Sequence, residues 1–276
     1  MPLREQVSAL MRYVADAIVM PRFRQLRPGE AYEKRPGELV TAVDREAELR
    51  LRDGLAALGV GGRIIGEEAV EEEPELLDDA GEGLVWFIDP LDGTANYAAG
   101  RQPFGLMVAL VEDGVPIAGW ILDPASGRMC HAELGCGATC DGIAVHARST
   151  GEHPIVAALG TQFLSPGRRE RVHAHASQSL RLVPIPRCAA ESYPRLVLGR
   201  DDLALFQRIL PWDHAAGVLF LTEAGGHVTH WDGSPYRVGS GRPGVLAASS
   251  ERLWRAGAEI LLGDAAGLIE REDVAA

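Results

Sequence analysis

Between Phe104 and Val145 the apolar runs of the chain are cut at Asp113-Gly114, Asp123-Pro124, Ser126-Gly127 and Asp141-Gly142. Pairs of this kind supply the turn conformations that reverse a chain within a few residues, so the runs between them are expected to pair as antiparallel hairpins. A sheet of that extent needs helices to cover its apolar faces. The N-terminal segment offers two. Val7, Leu10, Met11, Val14, Ile18 and Val19 recur at helical spacing over about residues 3–26, with Pro28 and Gly29 as the stop. Asp44 stands where an N-cap would open a second helix to about Leu58, with Ala47, Leu51, Leu55 and Leu58 as its stripe.

GGRIIGEE reads as a short strand ending on acids, VWFID as a buried strand ending on Asp89, and the acidic run at 71–75 as a solvated loop. Beyond the polar stretch 146–153 the pattern changes. IVAAL, RLVPI and GVLAAS read as strands, and residues 166–180, 189–198, 213–224 and 251–262 as helices. Strand and helix alternating in this way indicate a layered α/β unit.

With 276 residues, 46% of them hydrophobic, the chain can bury one large core or two halves packed together. No apolar run reaches the roughly 18 residues of a membrane span, and MPLREQVSAL lacks the layout of a secretory signal, so a cytoplasmic protein is expected. A net charge of -12 argues against a nucleic-acid partner, because such proteins need a basic surface to displace counterions. Cys130, Cys136, Cys140 and Cys188 form no CxxC pair and are expected as buried free thiols. Among the 27 basic residues only Lys34 is a lysine, beside a proline-glycine turn.

Three acidic clusters stand at strand ends or helix starts: Glu67 and Glu68 after RIIG, Asp89 and Asp92 in DPLDGT, and Asp213 in PWDHAAG. Strand ends are where α/β folds place sites. Hard carboxylate oxygens without histidine or cysteine suit magnesium and not zinc, and paired metals serve phosphoryl transfer. In DPLDGTAN, Pro90 turns the chain, Asp89 and Asp92 converge, and Gly93 lets the backbone approach a ligand. If Thr94 opens a helix, its amide and that of Gly93 face an anion.

Together, LVTAVD at 39–44, GEE at 66–68, WFIDPLDGTANY at 86–97 and WDHAAGVLFLTEAGG at 212–226 resemble the inositol monophosphatase family, in order, from about residue 7 to 262. The resemblance implies a phosphatase for a small phosphorylated metabolite, holding two or three magnesium ions. Glu67, Asp89 and the Leu91 carbonyl would bind the first, and Asp89, Asp92 and Asp213 the second. It implies direct attack on phosphorus by a metal-activated water, helped by Glu67 and a hydrogen-bonded Thr94–Asp44 pair, without a covalent phosphoenzyme. Gly93 and Thr94 would hold the phosphate, and Lys34 would lie on a loop approaching the metals. The fold implied is an αβαβα layered sandwich, with an antiparallel-sheet half at 1–147, a mixed α/β half at 148–276 and the metal site between them. A homodimer is also implied.

The chain departs from the pattern at the substrate end. Phe206 stands where animal-type members carry a glutamate that contacts inositol hydroxyls, and an aromatic ring cannot accept those hydrogen bonds. RCAAESYPRL replaces the usual small-residue helix start and is expected to bring Glu191 and Tyr193 near the leaving group. Inositol phosphate, fructose bisphosphate, histidinol phosphate and a phosphonucleotide all stay open as substrates.

Overall fold

Two large sheets, a small two-stranded one and three layers of helix build the protein in a computed structural model that describes residues 1–27, 29–35 and 38–263, without the side chains of residues 34, 35 and 38. The chain enters through α1 (Leu3–Val14), which widens into a π-turn at Ala15–Val19 and tightens into a 3-10 turn at Met20–Arg22. Pro21, with no backbone donor and a clash against the preceding turn, ends the helix before Pro28 is reached. A hairpin of β1 (Ala31–Arg35) and β2 (Glu38–Thr41), unforeseen in the sequence, leads into α2 (Ala42–Ala57).

There follow β3 (Arg63–Gly66), α3 (Glu67–Glu72), β4 (Leu84–Asp92), α4 (Thr94–Ala98), β5 (Gly105–Glu112), β6 (Val115–Asp123), β7 (Arg128–Glu133), β8 (Gly137–Cys140) and β9 (Ile143–Val145). These strands form a seven-stranded sheet in sequence order, parallel only between β3 and β4. The remainder comprises β10 (Ile155–Gly160), α5 (Pro166–Ala176), β11 (Leu180–Val183), α6 (Ala189–Val197), β12 (Leu203–Phe206), α7 (Pro211–Glu223), β13 (His227–His230), β14 (Val245–Ala248) and α8 (Glu251–Leu261). Their sheet runs β11-β10-β12-β14-β13, parallel through the first three strands and antiparallel beyond.

Strand alternation sets the layers. Leu106, Val108 and Leu110 of β5 face the stripes of α1 and α2, meeting Val7, Met11, Leu51 and Leu55. Met107, Ala109 and Val111 face the other way, toward Tyr193, Leu196, Ala216 and Phe220 of α6 and α7. With both faces covered, the strand reads as an unbroken apolar run. In the second sheet, Ala204 and Phe206 of β12 join the same middle cluster, while Leu203 and Leu205 pack on α5 and α8. The order is therefore α1/α2, sheet, α6/α7, sheet, α5/α8, the expected αβαβα sandwich.

Lying between two sheets, α7 buries Trp212, Ala215, Ala216, Val218, Leu219, Phe220 and Leu221 around its whole circumference. Each large side chain so buried contributes about 1.5–3 kcal/mol. Gly217 lets the layer close up, since a methyl group there would overlap the Tyr193 ring.

The cysteines are free, as expected, but only Cys130 and Cys188 are buried and Cys136 is exposed. Among the described residues no helix is long and apolar enough to cross a membrane.

Candidate active site

The parallel pairing of β3 with β4 sets Gly66 opposite Ile88, so Glu67, just past the end of β3, and Asp89, inside β4, come side by side. Asp213 comes to them in the first turn of α7. Oxygens of Glu67, Asp89 and Asp213 all lie within 4.8 Å of one another. Asp89 is fully buried, and burial, with the charges of Glu67, Asp92 and Asp213, pushes its carboxyl well above the usual range. Like charges so close call for a cation. Hard oxygen donors with no histidine or sulfur among them fit magnesium.

Asp92 lines the same cavity but stands outside this trio. Its Oδ2 accepts from Ala190 N at 2.6 Å, which ties the end of β4 to the first turn of α6. Leu91 N donates to Asp89 Oδ1 at 3.0 Å, and the Leu91 carbonyl accepts from Thr94 Oγ1 at 2.9 Å, keeping a second lone pair for a ligand. Gly93, at φ +81°, makes the left-handed turn from β4 into α4, so Thr94 does open a helix.

Asp44 is not the N-cap of α2. Thr41 is, accepting from Val43 N at 3.1 Å, while Asp44 Oδ2 accepts from Thr41 N at 2.9 Å in a capping box. The other oxygen of Asp44 meets Thr94 Oγ1 at 3.0 Å, joining the two residues that the resemblance pairs. Burial raises the Asp44 carboxyl to about 7. Asp213, likewise, sits in the first turn of α7 and not at its cap, Leu210.

Glu48 was missing from the sequence reading. Its buried carboxylate accepts from Glu68 N at 2.7 Å and Ala69 N at 2.9 Å, fixing the start of α3 and so the place of Glu67. The signal was present: an acid four residues after Asp44, on the side of α2 that buries Ala47 and Leu51.

The cavity beside the carboxylates measures about 290 Å³, and its far wall comes from the second half: Gln162, Phe163, Arg187, Ser192, Phe206 and Arg208. Phe206 lines it. Glu191 does not: buried outside the cavity wall, it accepts from Arg128 Nη2 at 2.6 Å and Arg200 Nη1 at 3.2 Å. Starting α6 at Ala189 sets the phase, so Ala189 and Ser192 reach the wall and Glu191 turns away.

Tyr193 is also buried away from the cavity, stacked on Phe206 at 5.4 Å, with its hydroxyl 2.8 Å from His214 Nδ1. His214 Nε2 is 3.0 Å from the Arg208 carbonyl. A carbonyl only accepts, so Nε2 carries the proton and Nδ1 accepts from Tyr193. Burial holds this histidine neutral, its pKa lowered to about 4. The hydrogen bonds thus tie two residues of the wall, His214 and Arg208, to the buried Tyr193 behind them. The backbone of Lys34 lies in strand β1 and not on a loop; its side chain lies outside the described residues.

The sequence profile of the Inositol monophosphatase family matches residues 2–265. The chain belongs to the inositol monophosphatase family. Inositol-1-monophosphatase of Bacillus subtilis is 31% identical over 204 residues, covering 73% of this chain and 76% of the relative. Fructose-1,6-bisphosphatase/inositol-1-monophosphatase of Thermotoga maritima is 32% identical over 205 residues, covering 73% and 75%. The solved structure of an IMPase from Thermotoga maritima superposes with a TM-score of 0.77 at 25% identity, covering 95% of this chain and 100% of that one. The inositol monophosphatase family is one of metal-dependent phosphatases, and its five-layer fold is the one seen here.

Proposed function

We propose that the protein is a magnesium-dependent phosphoric monoester hydrolase acting on a small phosphorylated metabolite, with inositol 1-phosphate as the reference substrate. The observation that carries this reading is the convergence of Glu67, Asp89 and Asp213 within 4.8 Å beside an open cavity. These three, with Asp92 and the Leu91 carbonyl at their edge, would hold the cations. When bound, magnesium supplies charge compensation to phosphoryl oxygens and makes water more acidic.

The chain's own groups do the rest. Glu67 stands half-buried at the cavity and can take a proton from the attacking water. Thr94 Oγ1 has one proton and two acceptors within reach, Asp44 Oδ1 and the Leu91 carbonyl, which hold the hydroxyl where it can orient that water. Gly93 and Thr94 line the cavity where β4 turns into α4, placed to hold phosphate oxygens. No nucleophilic side chain is needed, so phosphate leaves without a covalent intermediate. The proposal extends, on the resemblance, to a homodimer in the cytoplasm.

The test is phosphate release from inositol 1-phosphate, fructose 1,6-bisphosphate, histidinol phosphate and adenosine 3',5'-bisphosphate, with magnesium and with chelator. Chelator-sensitive release is expected from at least one. Asp213→Asn, which replaces a charged donor by a neutral amide, is expected to lower that rate about 100-fold or more while the circular dichroism spectrum is unchanged. Release indifferent to chelator, or near-normal rates in Asp213→Asn, would overturn the reading.

A further inference from the structure

Cys130 of β7 and Cys140 of β8 stand opposite each other across an antiparallel pair, with their sulfurs 3.3 Å apart. The next pair along, Met129 and Asp141, carries the ladder bond: Asp141 N donates to the Met129 carbonyl at 2.8 Å, and Met129 N donates to Asp141 Oδ1 at 2.9 Å. Bonded and non-bonded pairs alternate along an antiparallel ladder, so Cys130 and Cys140 form a non-bonded pair, the kind that brings facing side chains closest. The Cα separation of such pairs, about 4.5 Å, lies inside the range that a disulfide spans. The register is held at both ends. Cys140 directly precedes the two-residue turn Asp141-Gly142, whose φ angles of +50° and +79° are those of a tight hairpin. At the turn between β7 and β8, the Glu223 carboxylate of α7 accepts from Gly135 N at 2.8 Å and Gly137 N at 2.7 Å.

The two sulfurs differ in their surroundings. Cys130 is fully buried, and its thiol is pushed well up, first by the hydrogen bond it donates to Cys140 and then by burial. Cys140 is half-buried, and accepting that bond lowers its thiol, with the charge of Arg128 helping against burial. Thiolates and not thiols attack oxidants, so Cys140 is the sulfur to react and Cys130 the one to resolve. The other two cysteines stand outside this pair: Cys136 is exposed in the turn, and Cys188 is buried at the cap of α6, where burial pushes its thiol up.

We infer that Cys130 and Cys140 form a reversible oxidation site for a small hydroperoxide, with Cys140 as the attacking and Cys130 as the resolving sulfur. The Cys140 thiolate attacks one peroxide oxygen, the O–O bond breaks, and the expelled hydroxide takes up a proton to leave as water, giving a sulfenic acid. The Cys130 sulfur then attacks the Cys140 sulfur and expels the sulfenic hydroxyl, which leaves as a second water with the Cys130 proton. Two thiols have lost two electrons and two protons, and one hydrogen peroxide has become two waters. The ring closed spans residues 130–140, already a hairpin, so it removes little entropy from the unfolded chain and stays open to reduction by a dithiol.

Peptide mapping of the whole protein tests it. After an about tenfold excess of hydrogen peroxide, remaining thiols are alkylated in denaturant. Cleavage at Arg128, Glu133 and Arg148 then puts Cys130 on one peptide and Cys136 with Cys140 on another. The expected result is a fall from four alkylatable thiols to two, with the two peptides joined and lighter by two hydrogen atoms. Dithiothreitol should restore all four. The same cross-link is expected in Cys136→Ser, which assigns it to Cys140. In Cys130→Ser the sulfenic acid has no resolving partner, so dimedone should label Cys140, whereas in Cys140→Ser the Cys130 thiol should survive.

Four thiols surviving the peroxide, or a cross-link that vanishes in Cys136→Ser or joins two molecules, would overturn the inference. So would a Cys140 that dimedone fails to label in Cys130→Ser. Should either serine variant at 130 or 140 fail to fold, the cross-link in the native chain and in Cys136→Ser decides alone.

Discussion

Glu48 lies outside the cavity wall, yet its carboxylate decides where Glu67 stands, by accepting two amides of the first turn of α3. Glu48→Ala would leave both donors buried without an acceptor, at about 1–3 kcal/mol each. The expected outcome is a lower melting temperature and an about tenfold higher magnesium concentration for half-maximal phosphate release, with Glu48→Gln milder because its amide oxygen still accepts. Thermal melts and a magnesium titration check it. At this scale the sequence disclosed the acids on strand ends, because carboxylates beside DPLDGT and WD have few other uses. It did not disclose phase. Glu191 was expected at the leaving group and turns away because α6 starts at Ala189, and Arg187 escaped notice because a left-handed residue shows only in backbone angles.

Among the elements, α7 carries the heaviest packing demand, with a sheet on either side and α6 against it. Gly217→Ala would press a methyl group into the Tyr193 ring, which is fully buried and hydrogen-bonded to His214. Overpacking of this kind costs about 1–3 kcal/mol. Denaturant midpoints should show that loss, and an unchanged midpoint would mean that the ring has room to move. Tyr193 is tied to His214 of the cavity wall, so KM should rise as well. The long elements were legible because both-face burial gives unbroken apolar runs and amphipathic helices give stripes. The hairpin β1–β2 was not, because AYEKR and ELVT present no continuous apolar run, and neither were β12 and β13, whose place comes from pairing with β10 and β14.

For the molecule as a whole, buried acids govern how stability follows pH. Burial raises Asp44 to about 7 and Asp89 well above the usual range, so the folded state binds protons that the unfolded chain has already released. Without a cation, stability should therefore rise as pH falls from about 8 to 6.5, by up to about 1.4 kcal/mol per pH unit for each such group. Below that window His131 and His214, both lowered to about 4 by burial, oppose the trend, because there the unfolded chain takes protons that the folded one refuses. Melting temperatures in chelator should be higher at pH 6.5 than at pH 8. Magnesium should remove or reverse the order, since it competes with those protons. The layer order itself was legible as a resemblance. The resemblance also put the metal site between the two halves; the candidate donors come from opposite sides of that interface, Glu67 and Asp89 from the large sheet, Asp213 from the helix layer shared with the small one. An ion there cannot be gripped until both sheets have docked on α6 and α7. It should therefore slow unfolding in proportion to its concentration and leave the refolding rate almost untouched, a kinetic asymmetry that stopped-flow mixing would register as a shift of one chevron limb alone.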